Sequence, residues 1–146
     1  MVRHIAGMAE IVDDVDAAVR FYEEVLRLPV RRENADYAVV DMPGILHFGI
    51  WSRRHAAGVV FKDPAAASRV PLGFTIGFEV DTVDGAVPAL RGAGLVQAAQ
   101  DEPWGQRTAR FMSPSGALCE VSETPWARRL AQTVQAEAPA SGPQAG

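Results

Sequence analysis

The sequence predicts an α+β fold made of two tandem copies of one module, each a strand, a helix and three further strands. Three observations carry this. The octet Val12-Asp13-Asp14-Val15-Asp16-Ala17-Ala18-Val19 returns sixty-eight residues on as Val80-Asp81-Thr82-Val83-Asp84-Gly85-Ala86-Val87, with six of eight positions identical. Each copy follows an apolar stretch and opens an amphipathic one, so each marks a strand running into a helix. A second echo lies later in each half, where Asp41-Met42-Pro43-Gly44-Ile45-Leu46 and Met112-Ser113-Pro114-Ser115-Gly116-Ala117-Leu118 set a Pro/Gly turn before a strand. Two copies at a period of about seventy residues indicate duplication rather than a solenoid.

The first strand runs from His4 to Val12. Asp13 or Asp14 caps a helix reaching about Arg27, with Val15, Val19, Tyr22 and Leu26 on one stripe at 4-3-4 spacing, and Pro29 stops it. Three short strands come next at Val30 to Glu33, Tyr37 to Asp41 and Ile45 to Trp51, the first two divided by the turn residues Asn34-Ala35-Asp36. Ser52 to Pro71 has no strand pattern; with Gly58, Asp63-Pro64 and an alanine triplet it reads as a connector holding a short helix. Phe74, Ile76, Phe78 and Val80 alternate with Thr75, Gly77 and Glu79, as in a half-buried strand. The next helix opens close to Asp84, since Pro88 is tolerated only in or near a first turn, and it ends at Gly92-Ala93-Gly94. Strands at Leu95 to Ala99, Gln106 to Met112 and Ala117 to Ser122 complete the second copy. Residues 1–124 therefore form one domain: module one over about 2–52, a connector over about 53–71, and module two over about 72–124. Residues 125–146 hold a short helix, Ala127 to Gln135, and an Ala/Pro/Gly/Gln tail from Ala136 to Gly146.

Composition narrows the function classes. At 146 residues the chain buries roughly two-thirds of its unfolded surface. The net charge is −4, and the basic residues are scattered apart from the pairs Arg31-Arg32, Arg53-Arg54 and Arg128-Arg129, so no basic stripe for nucleic acid is present. No apolar run approaches the ~20 residues of a membrane span, and the N-terminus has no signal-peptide pattern. Cys119, the single cysteine, excludes an internal disulfide. A cytoplasmic protein with no nucleic-acid or membrane partner is expected. No phosphate loop, Cys/His zinc pattern or nucleophile elbow is found.

The order of elements, with Val12-Asp13-Asp14-Val15-Asp16, Phe21-Tyr22 and Val25-Leu26-Arg27-Leu28-Pro29-Val30 in module one, resembles the vicinal oxygen chelate superfamily. That superfamily takes in glyoxalase I, extradiol dioxygenases and bleomycin-resistance proteins. Module two adds Glu102-Pro103-Trp104-Gly105, Arg110-Phe111, Ser113-Pro114-Ser115-Gly116 and Glu120. Arg27 stands where the family usually has Gly, and Ser113 where it usually has Asp. The resemblance spans about Val2 to Glu123. It implies that the tandem βαβββ modules form a cup-shaped, mostly antiparallel curved sheet with helices outside, the cup holding metal or ligand.

Metal-dependent members of that family use His or Glu on the first and last strands of each module. Carried onto this chain, the four positions are Gly7 and Thr75 on the first strands, and Gly49 and Glu120 on the last. Alternation supports that register, with Leu46, Phe48 and Ile50 on one face and His47, Gly49 and Trp51 on the other. Glycine has no donor atom and a Thr hydroxyl is a poor partner for a first-row metal. Even with His47 added to Glu120 as weak candidates, the set falls short of the three protein ligands of catalytic zinc. No metal or other cofactor is expected.

The candidate ligand-binding residues are Tyr37, His47, Trp51, Glu79, Trp104, Arg110 and Glu120. His47 could act as a base or hydrogen-bond donor, or be a satisfied structural residue. Glu120 must be paired or solvated, by ligand or by Arg110. Arg110 shares its strand face with Gln106 and Thr108 and points inward. Trp51 and Trp104 fall at the rim of a cup, placed to stack on a flat ligand, with core or dimer contact as the other reading. His4 and His55 are assigned no role, and Glu10 falls on the helix-facing side of its strand without an evident partner. The leading expectation is a metal-free protein sequestering a flat or cationic small molecule, with Glu79 and Glu120 supplying negative charge and Tyr37, Trp51 and Trp104 flat walls. The alternatives are a metal-dependent glyoxalase- or dioxygenase-type enzyme, and a metal-free enzyme with His47 as base. A homodimer with two equivalent sites is expected, since family members commonly pair chains.

Overall fold

The structure, a computed structural model, describes residues 1–126 and residue 129. The expected helix over Ala127 to Gln135, Arg129 aside, and the tail after it lie outside the described residues. Both copies of the repeated octet play the same part. Strand β1 (Val2–Val12) is followed by Asp14, whose side chain accepts from the Ala17 N–H at 3.0 Å and caps helix α1 (Val15–Arg20). Strand β5 (Gly73–Val80) is followed by Thr82, whose hydroxyl accepts from the Gly85 N–H at 3.1 Å and caps α3 (Val83–Arg91). The two caps occupy the same place in the repeat, and Asp and Thr both satisfy an orphan N–H there.

Module one continues with β2 (Val30–Asn34), β3 (Tyr37–Val40) and β4 (Phe48–Ser52). Module two continues with β6 (Leu95–Asp101), β7 (Arg107–Met112) and β8 (Leu118–Glu123). All eight strands form one curved, unclosed sheet in the order β2-β3-β4-β1-β5-β8-β7-β6. β1 is parallel to β4 and β5 to β8, while β1 and β5 run antiparallel and join the modules. Along that seam Gly7 pairs with Gly77, Met8 with Ile76 and Ala9 with Thr75. With the repeat offset carrying Val12 to Val80, Met8 faces its own equivalent, Ile76, so a pseudo-twofold axis passes through the seam at that pair. The two modules therefore join into one concave sheet within a single chain.

Three elements depart from the sequence expectation. The first helix does not run regularly to Arg27: after Arg20 it widens into a π-helical turn, Phe21–Val25, with the Leu26 N–H donating to the Phe21 carbonyl. A π turn inserts one extra residue and so rotates the positions after it about the helix axis. Leu26 is consequently 48% exposed, while Leu28 packs into the cluster of Val15, Tyr22, Phe48 and Ile50 in its place. The connector carries two helices rather than one, α2 (Arg53–Val60) and a 3-10 turn (Pro64–Arg69) capped by Asp63. Pro88 sits at the sixth position of α3, beyond the first turn. The carbonyl deprived of its N–H belongs to Asp84, and Asp84 and Pro88 both lie on the exposed face of the helix, where the loss costs less than in the core. Among the described residues no helix is long and apolar enough to cross a membrane.

Candidate functional site

The concave face of the sheet encloses a cavity of about 620 Å³. Its floor is the β1–β5 seam with the adjoining β4, and three glycines on these strands leave space that larger neighbours fill. A Cβ at Gly49 would collide with the Tyr37 hydroxyl oxygen and lie 2.6 Å from its Cζ. One at Gly7 would lie 3.0 Å from the His47 carbonyl oxygen and 3.1 Å from its Cβ, and one at Gly77 would lie 3.2 Å from a Glu120 carboxylate oxygen. Strand register settles which positions correspond. Ala9 pairs with Gly49, and its equivalent Gly77 pairs with Glu120, so Gly49 and Glu120 are counterparts in the two last strands.

Two polar assemblies stand on this floor. In module one Tyr37 and His47 stack with ring planes 7° apart, and the Tyr37 hydroxyl is hydrogen-bonded to His47 Nε2. Burial, and then the Arg31 charge, pull the His47 pKa below its ordinary value, so the imidazole is neutral near pH 7. Burial and the charges of Glu120 and Glu33 push the Tyr37 hydroxyl well up. In module two the buried Arg110 contacts two carboxylates, Glu102 at 2.9 Å and Glu120 at 2.7 Å. One guanidinium does not satisfy both equally. Burial pushes Glu102 up, but hydrogen bonds from Gln100, Arg110 and Thr108 and the Arg110 charge outweigh it and hold this carboxyl low. Glu120 is raised: burial outweighs Arg110, and Glu102 repels it.

Aromatic walls surround these groups. All three tryptophans of the chain, Trp51, Trp104 and Trp126, line the cavity. The Trp51 N–H donates to His55 Nδ1 at 2.9 Å and the Trp104 N–H to the Gln106 side-chain oxygen at 2.7 Å. Both indoles are thus oriented by their N–H groups, leaving ring surface as their offer to a ligand. Trp104 stands at the mouth, 43% exposed, on the turn between β6 and β7. Trp51 is not at the rim: it is 8% exposed, packed with Ile11, Ala56 and Leu118, with the Arg110 guanidinium 5.5 Å from its ring centre.

Six of the seven candidate residues thus surround one cavity: Tyr37, His47, Trp51, Trp104, Arg110 and Glu120. Glu79 does not. It is fully buried and accepts from the Thr124 N–H at 2.9 Å and the Ser122 hydroxyl at 3.3 Å. Its counterpart in module one is the core residue Ile11, by the pairings Ile11–Trp51 and Glu79–Ser122. Sequence reasoning missed Trp126, whose ring meets His47 edge-on at 5.4 Å, and His55, which lines the cavity from α2. Glu10 does have a partner: the Tyr22 hydroxyl donates to it at 2.6 Å.

The metal that the resemblance raises finds a poor donor set here. Gly7 and Gly49 offer no side-chain donor, Thr75 offers a hydroxyl, Glu120 is tied to Arg110, and His47 Nε2 is engaged by Tyr37. Among the described residues no group of three or more His, Cys, Asp or Glu is placed to hold a metal ion. Catalytic centres use at least three protein ligands, so these residues do not fit one.

Comparison with known proteins agrees with the fold. A glyoxalase/bleomycin resistance protein/dioxygenase superfamily member from Vibrio splendidus 12B01 superposes with a TM-score of 0.59 at 12% identity, covering 85% of this chain and 100% of that one. Methylmalonyl-CoA epimerase from Mycobacterium tuberculosis gives 0.59 at 20% identity, covering 90% and 93%. At such identities the likeness is one of fold. No curated protein matches the sequence. The family description of the glyoxalase-like domain matches residues 6–125. The chain belongs to the glyoxalase-like domain family, within the vicinal oxygen chelate superfamily.

Proposed function

We propose that this protein binds a flat, uncharged small molecule in its cup without a metal, in the manner of a sequestering protein of the bleomycin-resistance type. The observation that carries the reading is the content of the cavity. Every tryptophan of the chain faces it, while the positions that could ligate a metal hold Gly7, Gly49, Thr75 and an arginine-paired Glu120. Stacking on large aromatic faces is a strong and sequence-economical way to hold a planar ring. A cationic ligand is less well served than the sequence suggested, because Glu79 lies outside the cavity and Arg110 offsets Glu120. His47 and Glu120 would set orientation, by hydrogen bonds to a polar edge of the ligand.

The same proposal includes a homodimer in the cytoplasm. Its structural support is apolar surface left open beside the module seam, where Ile5 is 52% and Phe74 53% exposed.

Titration of the purified protein with planar fragments, followed by intrinsic tryptophan fluorescence, tests the binding reading, since every indole reports on the cup. Quenching that saturates is expected. Trp104→Ala should weaken binding by about 1–3 kcal/mol with the melting temperature nearly kept, because a rim residue adds little to the core. Unchanged affinity in that variant would move the site elsewhere.

A further inference from the structure

The chain does not leave module two freely when β8 ends. Thr124, the next residue, is fully buried, and three contacts hold it. Its N–H donates to Glu79 at 2.9 Å, its hydroxyl donates to Ser122 at 3.1 Å, and it accepts from the Gln106 side-chain amide at 2.7 Å. Two residues later Trp126 lines the cavity and packs edge-on against His47, which belongs to module one. The exit segment therefore crosses from the half of the cup that ends it to the other half. A carboxylate buried at zero exposure is costly unless its contacts repay the desolvation, and here they fix the direction of the exit.

We infer that Trp126 is a ligand-contacting wall of the cup, and that buried Glu79, through Thr124, is the positioning residue that aims it. This rests on the binding reading above and adds two things to it. The site is incomplete without the segment after the last strand, and a residue outside the cavity governs affinity. Glu79 acts through the backbone: removing its acceptor frees the Thr124 N–H and loosens the two residues leading to Trp126. The planar ligand then loses one of three indole faces, although every residue of the sheet floor is in place.

The experiment uses the full chain with its three tryptophans replaced by 5-fluorotryptophan, each fluorine resonance assigned by a single Trp→Phe variant. Quinoline, planar and neutral at pH 7, is the probe. In the otherwise unaltered protein, quinoline should shift the Trp126 resonance together with those of Trp51 and Trp104. Glu79→Leu should move the Trp126 resonance toward its solvent-exposed position, leave Trp51 in place, and weaken quinoline binding roughly five- to tenfold. Glu79→Gln keeps one acceptor for the Thr124 N–H and should restore both signal and affinity, which a general loss of packing would not do. Should Glu79→Leu not fold, Glu79→Met, which also removes the carboxylate acceptor of the Thr124 N–H but keeps a long, flexible side chain, puts the same question to Trp126. Shifts at Trp51 and Trp104 with none at Trp126 would overturn the inference and leave the binding reading standing. Shifts at none of the three would overturn the binding reading and the inference with it. A Trp126 resonance indifferent to Glu79→Leu would overturn the positioning role.

Discussion

Gly49 decides which groups the floor of the cup can hold. Its counterpart in module two is Glu120, yet Gly49 has no side chain because Tyr37 occupies that space. Gly49→Ala should therefore destabilise the fold by about 1–3 kcal/mol through overpacking. In a double-mutant cycle read by urea unfolding, Tyr37→Ala should remove most of that cost, because it empties the contested volume. Equal costs in both backgrounds would mean that the two residues do not compete. His47 gives a pH signature. Its ordinary value of 6.5 is lowered in the fold, first by burial and then by Arg31. Below pH 6.5 the unfolded chain takes up a proton that the folded chain resists. The stability conferred by the neutral ring is therefore present above that pH and lost as pH falls toward the lowered folded value. His47→Phe should flatten the decline in melting temperature over that acid range; an unaltered slope would assign it to other groups. At this scale the sequence was partly legible. Alternation placed Glu79 on the inner face of its strand, but a period of two names a face and not a depth along it. Trp126 lies beyond the last strand, where no periodic pattern reaches. Glu10 was readable as helix-facing, and its partner Tyr22 lies on the predicted helix stripe, although pairing them needs the packing of helix on strand.

Among the elements, α1 and the turn after it show which features sequence patterns carry and which they omit. A cap at Asp13 or Asp14, the stop at Pro29 and the stripe through Val15, Val19 and Tyr22 were all readable, because each is a local preference; the structure selects Asp14. The extra residue of the π turn was not, since no propensity distinguishes it from a regular turn, and Leu26 was consequently assigned inward. The turn ends in Arg27 at φ 58°, a left-handed conformation in which a Cβ crowds the backbone. Glycine adopts it without that cost. Arg27→Gly should stabilise the protein by about 0.5–1 kcal/mol, the relieved strain being partly offset by a freer unfolded chain. Chemical denaturation measures this, and a loss of stability would mean that the Arg27 side chain contributes more than its backbone strains. The connector was read as one short helix because its glycine and proline obscure periodicity, while Ser52 and Asp63, the residues that cap its two helices, look like ordinary loop residues.

For the whole molecule, duplication was the strongest signal, and it carried the architecture: two modules meeting at a pseudo-twofold seam in one eight-stranded sheet. That β1 and β5 pair with each other, joining the modules within one chain, could not be read from either module alone, because edge pairing depends on how two sheets meet. The proposed homodimer predicts a light-scattering mass near twice 15.7 kDa at micromolar concentration, and a monomer mass would contradict it. The central claim is that the cup works by aromatic faces and needs no metal. The most direct measurement is the affinity of one planar ligand found by fluorescence, taken before and after exhaustive dialysis against a chelator. The account predicts the same dissociation constant in both and no stoichiometric metal in the native preparation. Binding lost on chelation, and restored by one equivalent of a divalent transition metal in wild type but not in Glu120→Ala, would contradict it.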